Sequence, residues 1–313
     1  MRVYLFVLAA LCWVAGLLVR SADAPPARTE FAVIGYLPDY RAAAFDPGAA
    51  RGLTDLIVFS AEPTAAGALD LSRLKNVPWA KLRAFKTRER VRLILCVGGW
   101  ERSAHFAAVA SSADKRRAFV AAVVRTCLDE RLDGIDLDWE HPKDKAEEDG
   151  YAALLADLRA AFEPHGLLLS VTMAAWQRLP KAAFATVDRV QIMAYDHEGR
   201  HSTYEAARKD VDTLTAAGAP PGKIVLGLPL YGRGVKDRRT LTYREIVTKH
   251  DPKADADEVD GVYFNGPDTI RRKTEYAQSA GLGGVMVWEL GQDAAGERSL
   301  LRVIRNEVDR VRK

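Results

Sequence analysis

The sequence predicts an α/β protein built as a single (β/α)8 barrel of the TIM type. Three observations carry that reading. Eight short apolar runs rich in β-branched residues recur at 32–37, 55–60, 92–97, 134–139, 167–173, 190–195, 224–229 and 284–289. Segments of helical period lie between them at 114–131, 147–163, 204–217, 268–280 and 297–311, each bounded by Gly, Pro or Asp. Once an apolar N-terminal segment is set aside, roughly 285 residues remain, close to the ~250 of one such barrel. Alternation of strand and helix argues for a parallel sheet with crossover helices. Counting alone leaves a doubly wound open sheet in competition, and the number eight favours closure. No low-complexity linker divides the chain after its first segment.

That first segment begins with Arg2, runs apolar over residues 3–19 to Arg20, and reaches Ala22-Asp23-Ala24 before Pro25-Pro26. It reads as a signal peptide over residues 1–24. The run is long for a cleaved signal and slightly short of the ~20 apolar residues that span a bilayer, so an uncleaved N-terminal membrane anchor is the alternative. A lipoprotein reading through Cys12 fails, because Leu11 stands where a small residue is wanted. Either way the chain is expected to be exported.

Composition excludes several classes. With 48% hydrophobic and 28% charged residues the chain is an ordinary globular protein. Lys plus Arg number 45 against 42 Asp plus Glu, so the net charge of +3 offers no basic excess for a nucleic acid. Cys12, Cys96 and Cys127 are too few for a disulfide scaffold and lack CxxC spacing. Cys96 and Cys127 fall on a strand and the helix after it and are close enough to meet, but buried free thiols are the expectation.

The fourth run carries the chemistry. In Leu132-Asp133-Gly134-Ile135-Asp136-Leu137-Asp138-Trp139-Glu140-His141-Pro142, acids recur at every second position. Strand side chains alternate faces, so Asp136, Asp138 and Glu140 share one face and Ile135, Leu137 and Trp139 the other. In a barrel the apolar face packs beneath helices, and the acidic face enters the lumen. Three stacked carboxyl groups cannot all ionise cheaply, because like charges and burial raise their pKa values. Glu140, last on the strand and nearest the mouth, is placed to be a general acid toward a departing oxygen. Asp138 sits within reach of it, and Asp136 lies deeper. Asp133 is out of phase and reads as a backbone anchor at the strand entrance.

Asp133, Asp136, Asp138 and Glu140 match the DxxDxDxE signature, and here the chain resembles glycoside hydrolase family 18, the chitinase family. Further landmarks recur in order: Gly35-Tyr36, Gly98-Gly99-Trp100, Met193-Ala194-Tyr195-Asp196, Gly227-Leu228-Pro229-Leu230-Tyr231-Gly232-Arg233 and Gly284-Val285-Met286-Val287-Trp288-Glu289. The resemblance makes residues 30–313 the catalytic barrel. It implies retaining hydrolysis of β-1,4 linkages beside N-acetylglucosamine, with the substrate's own acetamide as nucleophile. Carried over residue by residue, Glu140 is acid and then base, Asp138 orients the acetamide, Asp136 tunes Asp138, and Tyr195 bonds the acetamide oxygen. Asp196, Trp288, Met193, Trp100 and Tyr36 become sugar contacts, and Arg233 a polar one. The implied partner is an oligo- or polysaccharide containing N-acetylglucosamine, bound by a monomer that needs no cofactor or metal.

The chain also departs from the family pattern. Cys96 stands where Ser is usual before Gly98-Gly99, which alters support for the acids. His141 replaces a frequent Tyr and reads as a turn residue beside Pro142. Between strands 7 and 8 the chain is too short for a large α+β insertion, so a shallow cleft is expected. His197-Glu198-Gly199-Arg200-His201 spells HExxH, but it follows a strand and contains Gly199, so it reads as a loop and not as a zinc helix. His105, His165 and His250 have no partner spacing. The complete acid set favours an enzyme over a chitin-binding lectin of the same fold. Among enzymes, an endo-β-N-acetylglucosaminidase acting on N-glycan cores is the second reading.

Overall fold

The computed structural model describes residues 31–312. The signal or anchor segment over residues 1–24 lies outside them, as does Cys12. Eight parallel strands form the barrel: β1 Ala32–Pro38, β2 Asp55–Pro63, β3 Arg92–Gly98, β4 Gly134–Asp138, β5 Leu168–Met173, β6 Arg189–Ile192, β7 Ile224–Pro229 and β8 Gly284–Trp288. Each pairs with the next in chain order, and β8 returns to β1 with Ala32 opposite Gly284 and Gly35 opposite Val287. The sheet is therefore closed, and the open-sheet alternative is excluded.

Helices cover the outside. The five predicted ones lie at Ala113–Glu130, Lys145–Phe162, Tyr204–Ala216, Pro267–Ser279 and Leu300–Arg312. Ser112, Asp144 and Thr203 start the first three, each accepting a hydrogen bond from the backbone N–H three residues on. A further helix, Trp79–Glu89, has no clear periodic signal, because it buries only Leu82 and Phe85. Between β7 and β8 there is no large insertion. A small antiparallel sheet stands there instead, ordered Thr240–Thr242, Tyr231–Gly234, Val262–Tyr263 and Glu258–Val259, beside the helix Tyr243–His250.

Alternation divides the core into two shells. Outward residues such as Leu93, Leu95, Ile135, Leu137, Leu169 and Val171 are buried beneath the helices. Trp139 joins them, stacked on Phe106 at 5.4 Å and edge-on to Tyr151. The inner shell holds Ile34, Tyr36, Ile57, Phe59, Ile94, Cys96, Val225 and Met286. This lumen is apolar at most strands, and β4, β5 and β6 interrupt it with Asp136, Ser170, Thr172 and Gln191, all buried.

Candidate active site

Asp136 points into the lumen as the alternation requires, and its neighbours satisfy it. Its Oδ1 accepts from Ser170 Oγ at 2.7 Å and Gln191 Nε2 at 2.7 Å. Its Oδ2 accepts from Tyr36 Oη at 2.8 Å and Thr172 Oγ1 at 2.9 Å. Burial raises its pKa, and these four donors pull against that rise. Cys96 lies opposite Asp136 in register, its thiol pushed well up by burial and then by the Asp136 charge. The substitution of the usual Ser therefore leaves Asp136 with a full set of oxygen and nitrogen donors.

Asp138 stands one step closer to the mouth, opposite Gly98. Its Oδ1 is buried and takes no hydrogen bond within the described residues. Burial, and then the Glu140 and Asp136 charges, hold its pKa well above the carboxylate range. The Gly98-Gly99 turn fits over it only because both residues are glycines at φ 99° and 102°. A Cβ on Gly98 would lie 2.3 Å from the Asp138 carbonyl, and one on Gly99 2.3 Å from the Phe59 ring. The turn is tied down by Gly99 N–H donating to the Asp138 carbonyl at 2.6 Å.

Glu140 differs from the sequence expectation in one respect. The strand ends at Asp138, and Glu140 lies two residues beyond it, so pairing does not hold it. Ser103 holds it instead: its Oγ accepts the Glu140 N–H at 3.1 Å and donates to the Gly99 and Asp138 carbonyls. The Trp100 backbone N–H donates to the Glu140 carboxyl, yet burial and then the Asp196 charge lift its pKa to about 7. Strand β6 likewise stops short, at Ile192, leaving Met193 to Asp196 as the loop that leaves the barrel.

Asp196, at φ 65°, turns toward the small sheet after β7. It accepts from Tyr231 Oη at 2.6 Å and pairs with Arg233 at 2.9 Å, two residues that share one face of their strand. Despite burial, the His201 ring facing it at 3.6 Å, the hydrogen bond from Tyr231 and the Arg233 pair lower its pKa to about 2. Asp196 is thus a fixed negative charge beside an acid that keeps its proton near neutrality.

Tyr36, Phe59, Trp100, Asp138, Glu140, Thr172, Met193, Tyr195, Asp196 and Trp288 line one pocket of about 140 Å³. Of the ten predicted site residues, eight meet there. The other two stand behind the wall: Asp136 below Asp138, and Arg233 on Asp196. Trp288 packs edge-on to Phe59 at 4.9 Å, and Trp100 is 67% exposed at the rim. Tyr36, expected as a sugar contact, is 1% exposed and gives its hydroxyl to Asp136, so its polar atom serves the acid. Asp133 anchors backbone as expected, accepting the Leu93 N–H at 2.7 Å. Sequence reasoning missed Ser103, Ser170, Thr172, Gln191 and Tyr231. The alternation of Ser170 and Thr172 along β5, and of Tyr231 with Arg233, carried a signal for three of the five; Ser103 and Gln191 have none as clear.

The HExxH run is a loop with Gly199 at φ 73°. The His197 ring bonds the His201 carbonyl and Asp210, whereas the His201 ring packs on Tyr231 and faces Asp196 at 3.6 Å. The two rings do not converge, and no group of metal-ligating side chains appears among the described residues. Cys96 and Cys127 are both free and buried.

A barrel whose fourth strand turns Asp136 and Asp138 inward and is followed by Glu140, an acid of raised pKa at the pocket, has the carboxyl arrangement of a glycoside hydrolase. The family model described as Glycosyl hydrolases family 18 matches residues 33–293. This chain belongs to that family. Chitinase 1 of Aphanocladium album is 29% identical over 275 residues, covering 69% of this chain and 65% of that protein. Chitotriosidase-1 of Mus musculus is 26% identical over 314 residues, covering 74% and 66%. The chain thus spans just under two thirds of the length of these relatives. A family 18 chitinase from the chitin utilization locus of Flavobacterium johnsoniae superposes with a TM-score of 0.79 at 28% identity, over 90% of this chain and 95% of that one. Catalytic domain 2 of an Ostrinia furnacalis Group II chitinase shares the fold, with a TM-score of 0.79 at 24% identity over 90% and 97%.

Proposed function

We propose that the chain hydrolyses β-1,4 linkages next to N-acetylglucosamine in chitin or chito-oligosaccharides, with retention and with the substrate's acetamide as nucleophile. The observation that carries this reading is the contrast between Glu140, which holds a proton up to about pH 7, and the buried, unpartnered Oδ1 of Asp138 beside it. Glu140 donates its proton to the departing glycosidic oxygen. The acetamide carbonyl attacks the anomeric carbon from within the pocket, and Asp138 Oδ1 accepts the acetamide N–H as positive charge grows there. Tyr195, at the pocket wall, donates to the acetamide oxygen. Trp288 forms the apolar floor beneath the reacting ring. Water then enters, Glu140 takes its proton, and the oxazolinium ion opens with the original configuration restored. The names of the relatives favour chitin-like substrates over N-glycan cores. The signal-like residues 1–24 support an exported enzyme; among the described residues no helix is long and apolar enough to cross a membrane.

The test is product analysis on N-acetylglucosamine oligomers with the wild type and Glu140→Gln. The wild type should release shorter oligomers of retained anomeric configuration. The variant should bind and not cut, a loss of at least about a hundredfold in kcat for a missing general acid. Equal cleavage of fully deacetylated oligomers would refute the acetamide as nucleophile. Binding without cleavage by both proteins would favour a lectin.

A further inference from the structure

Lys273 has no part in the chemistry above, yet it is buried, and burying an amino group is costly. The residue sits on the helix Pro267–Ser279 and is 0% exposed. Its Nζ donates to the Ser202 carbonyl at 2.8 Å, to Ser202 Oγ at 2.8 Å and to Asn265 Oδ1 at 2.7 Å. Asn265 Nδ2 donates to the same Ser202 carbonyl at 2.7 Å. Asp257, Asp210 and Glu205 act on Lys273 from longer range, and none of them forms an ion pair with it among the described residues. The lysine is therefore not buried to make an ion pair. Its three N–H groups converge on Ser202 and on the side chain that shares Ser202 with it.

Ser202 closes the loop that leaves β6. A protonated lysine only donates, so Ser202 Oγ accepts from Nζ and turns its own proton elsewhere. That proton goes to the Ala194 carbonyl at 2.8 Å. Ala194 directly precedes Tyr195 and Asp196, which line the pocket. Sheet pairing does not reach these two: β6 ends at Ile192, and the Met193 N–H reaches back to the Met173 carbonyl at 2.9 Å. Within the loop the His197 N–H donates to the His201 carbonyl at 3.1 Å, and the His201 ring faces Asp196 at 3.6 Å. The loop is thus folded back on its own start, and Lys273 pins the returning end from the helix layer. A buried polar network in which every member is bonded rigidifies what it holds.

We propose that Lys273 is a positioning residue for the hydrolysis: through Ser202 it fixes the Ala194 carbonyl, and with it the places of Tyr195 and Asp196 in the pocket. This rests on the hydrolase reading above and adds to it a residue that touches no substrate. The test compares the full chain with Lys273→Met, Ser202→Ala and the double variant at pH 6, where Lys273 holds its proton. Cleavage of N-acetylchitotetraose gives kcat per folded molecule and KM, and mass spectrometry gives amide exchange over residues 194–202. For Lys273→Met, kcat should fall about tenfold with KM within about twofold, as for groups misplaced toward the transition state. Exchange over 194–202 should quicken about tenfold while β7 keeps its protection. Ser202→Ala should move both in the same direction, and the double variant should lose no more kcat than Lys273→Met alone. Ser202→Ala removes one hydroxyl, so it carries the test where Lys273→Met does not fold.

Unchanged exchange over 194–202 overturns the brace. Faster exchange there with unchanged kcat per folded molecule overturns the positioning role. Losses of kcat that add fully in the double variant overturn the route through Ser202. If the wild type cuts no oligomer while exchange still quickens in the variants, the hydrolase reading falls, and the catalytic role of Lys273 falls with it.

Discussion

Replacing Asp196 by Asn should move the alkaline limb of the pH profile to lower pH. Asn has the same shape, so its side-chain oxygen still accepts from Tyr231 and Arg233, and only the charge is removed. That charge is the second cause of the raised Glu140 pKa, after burial. Glu140 rises from 4.5 to about 7 in all, and burial supplies the larger part. The Asp196 share is smaller than that of burial, and the Trp100 N–H opposes both, so the limb should move down on the order of one pH unit, or ~1.4 kcal/mol of differential stabilisation. The sign follows from the role: the acid works only while protonated, so kcat/KM falls as pH rises through its pKa, and a lower pKa brings that fall to lower pH. Asp138 and Glu140 interact, so the limb reports the pair titrating as one unit. The assay is kcat/KM between pH 4 and 9 on a soluble N-acetylchito-oligomer. Loss of a sugar contact at Asp196 would lower the whole curve without moving its midpoint, so the two effects separate. A midpoint that stays in place or moves up refutes the electrostatic assignment.

Gln191→Leu removes one of four donors to Asp136 and leaves that carboxyl more weakly satisfied in a sealed lumen. Urea unfolding should show a loss of about 1–3 kcal/mol at neutral pH. The loss should narrow in acid, where Asp136 takes up a proton. Lys273 is wholly buried and donates to the Ser202 carbonyl, Ser202 Oγ and Asn265 Oδ1, and burial lowers its pKa from 10.5 to about 7. Between those values the unfolded chain holds a proton that the folded chain has released, so this group adds stability as pH rises from 7 toward 10.5. Wild type minus Lys273→Met unfolding free energy, measured at pH 7 and 9, should therefore increase; a flat or falling difference would show that Lys273 stays charged in the fold.

Much of this molecule was readable because the barrel writes its inside and outside into alternate residues. The inward acids and the outward Ile135, Leu137 and Trp139 follow from that period, and the eight strand runs from their apolar, β-branched content. The helix Trp79–Glu89 was not readable, because two buried side chains leave no repeating face. The ends of β4 and β6 were read too long, since an apolar or alternating run does not reveal where pairing stops. Ser103, on the loop after β3, had no sequence signal at all. Its role comes from the close approach of two strand ends, a property of tertiary packing. Tyr36 lines the pocket as expected, and its second role was hidden for the same reason: only the hydroxyl's partner, Asp136, shows that it also supports the acid.

The three carboxyl groups on and just beyond β4 become chemically distinct through the number of donors each meets. Asp136 has four, from Tyr36, Ser170, Thr172 and Gln191. Asp138 Oδ1 has none within the described residues, and Glu140 has the Trp100 backbone N–H. Charge is therefore best supported at the bottom of the stack and least supported in the middle. A negative Asp136 in turn makes a second charge on Asp138 more costly, and a negative Asp138 does the same to Glu140. Protons accordingly collect at the upper two positions, where the substrate arrives. When Glu140 gives its proton to the leaving oxygen, the acetamide N–H and its growing positive charge provide the partner that Asp138 lacks. One event thus relieves the other, and this coupling accounts for an acid left unsatisfied at the centre of an otherwise well-bonded lumen.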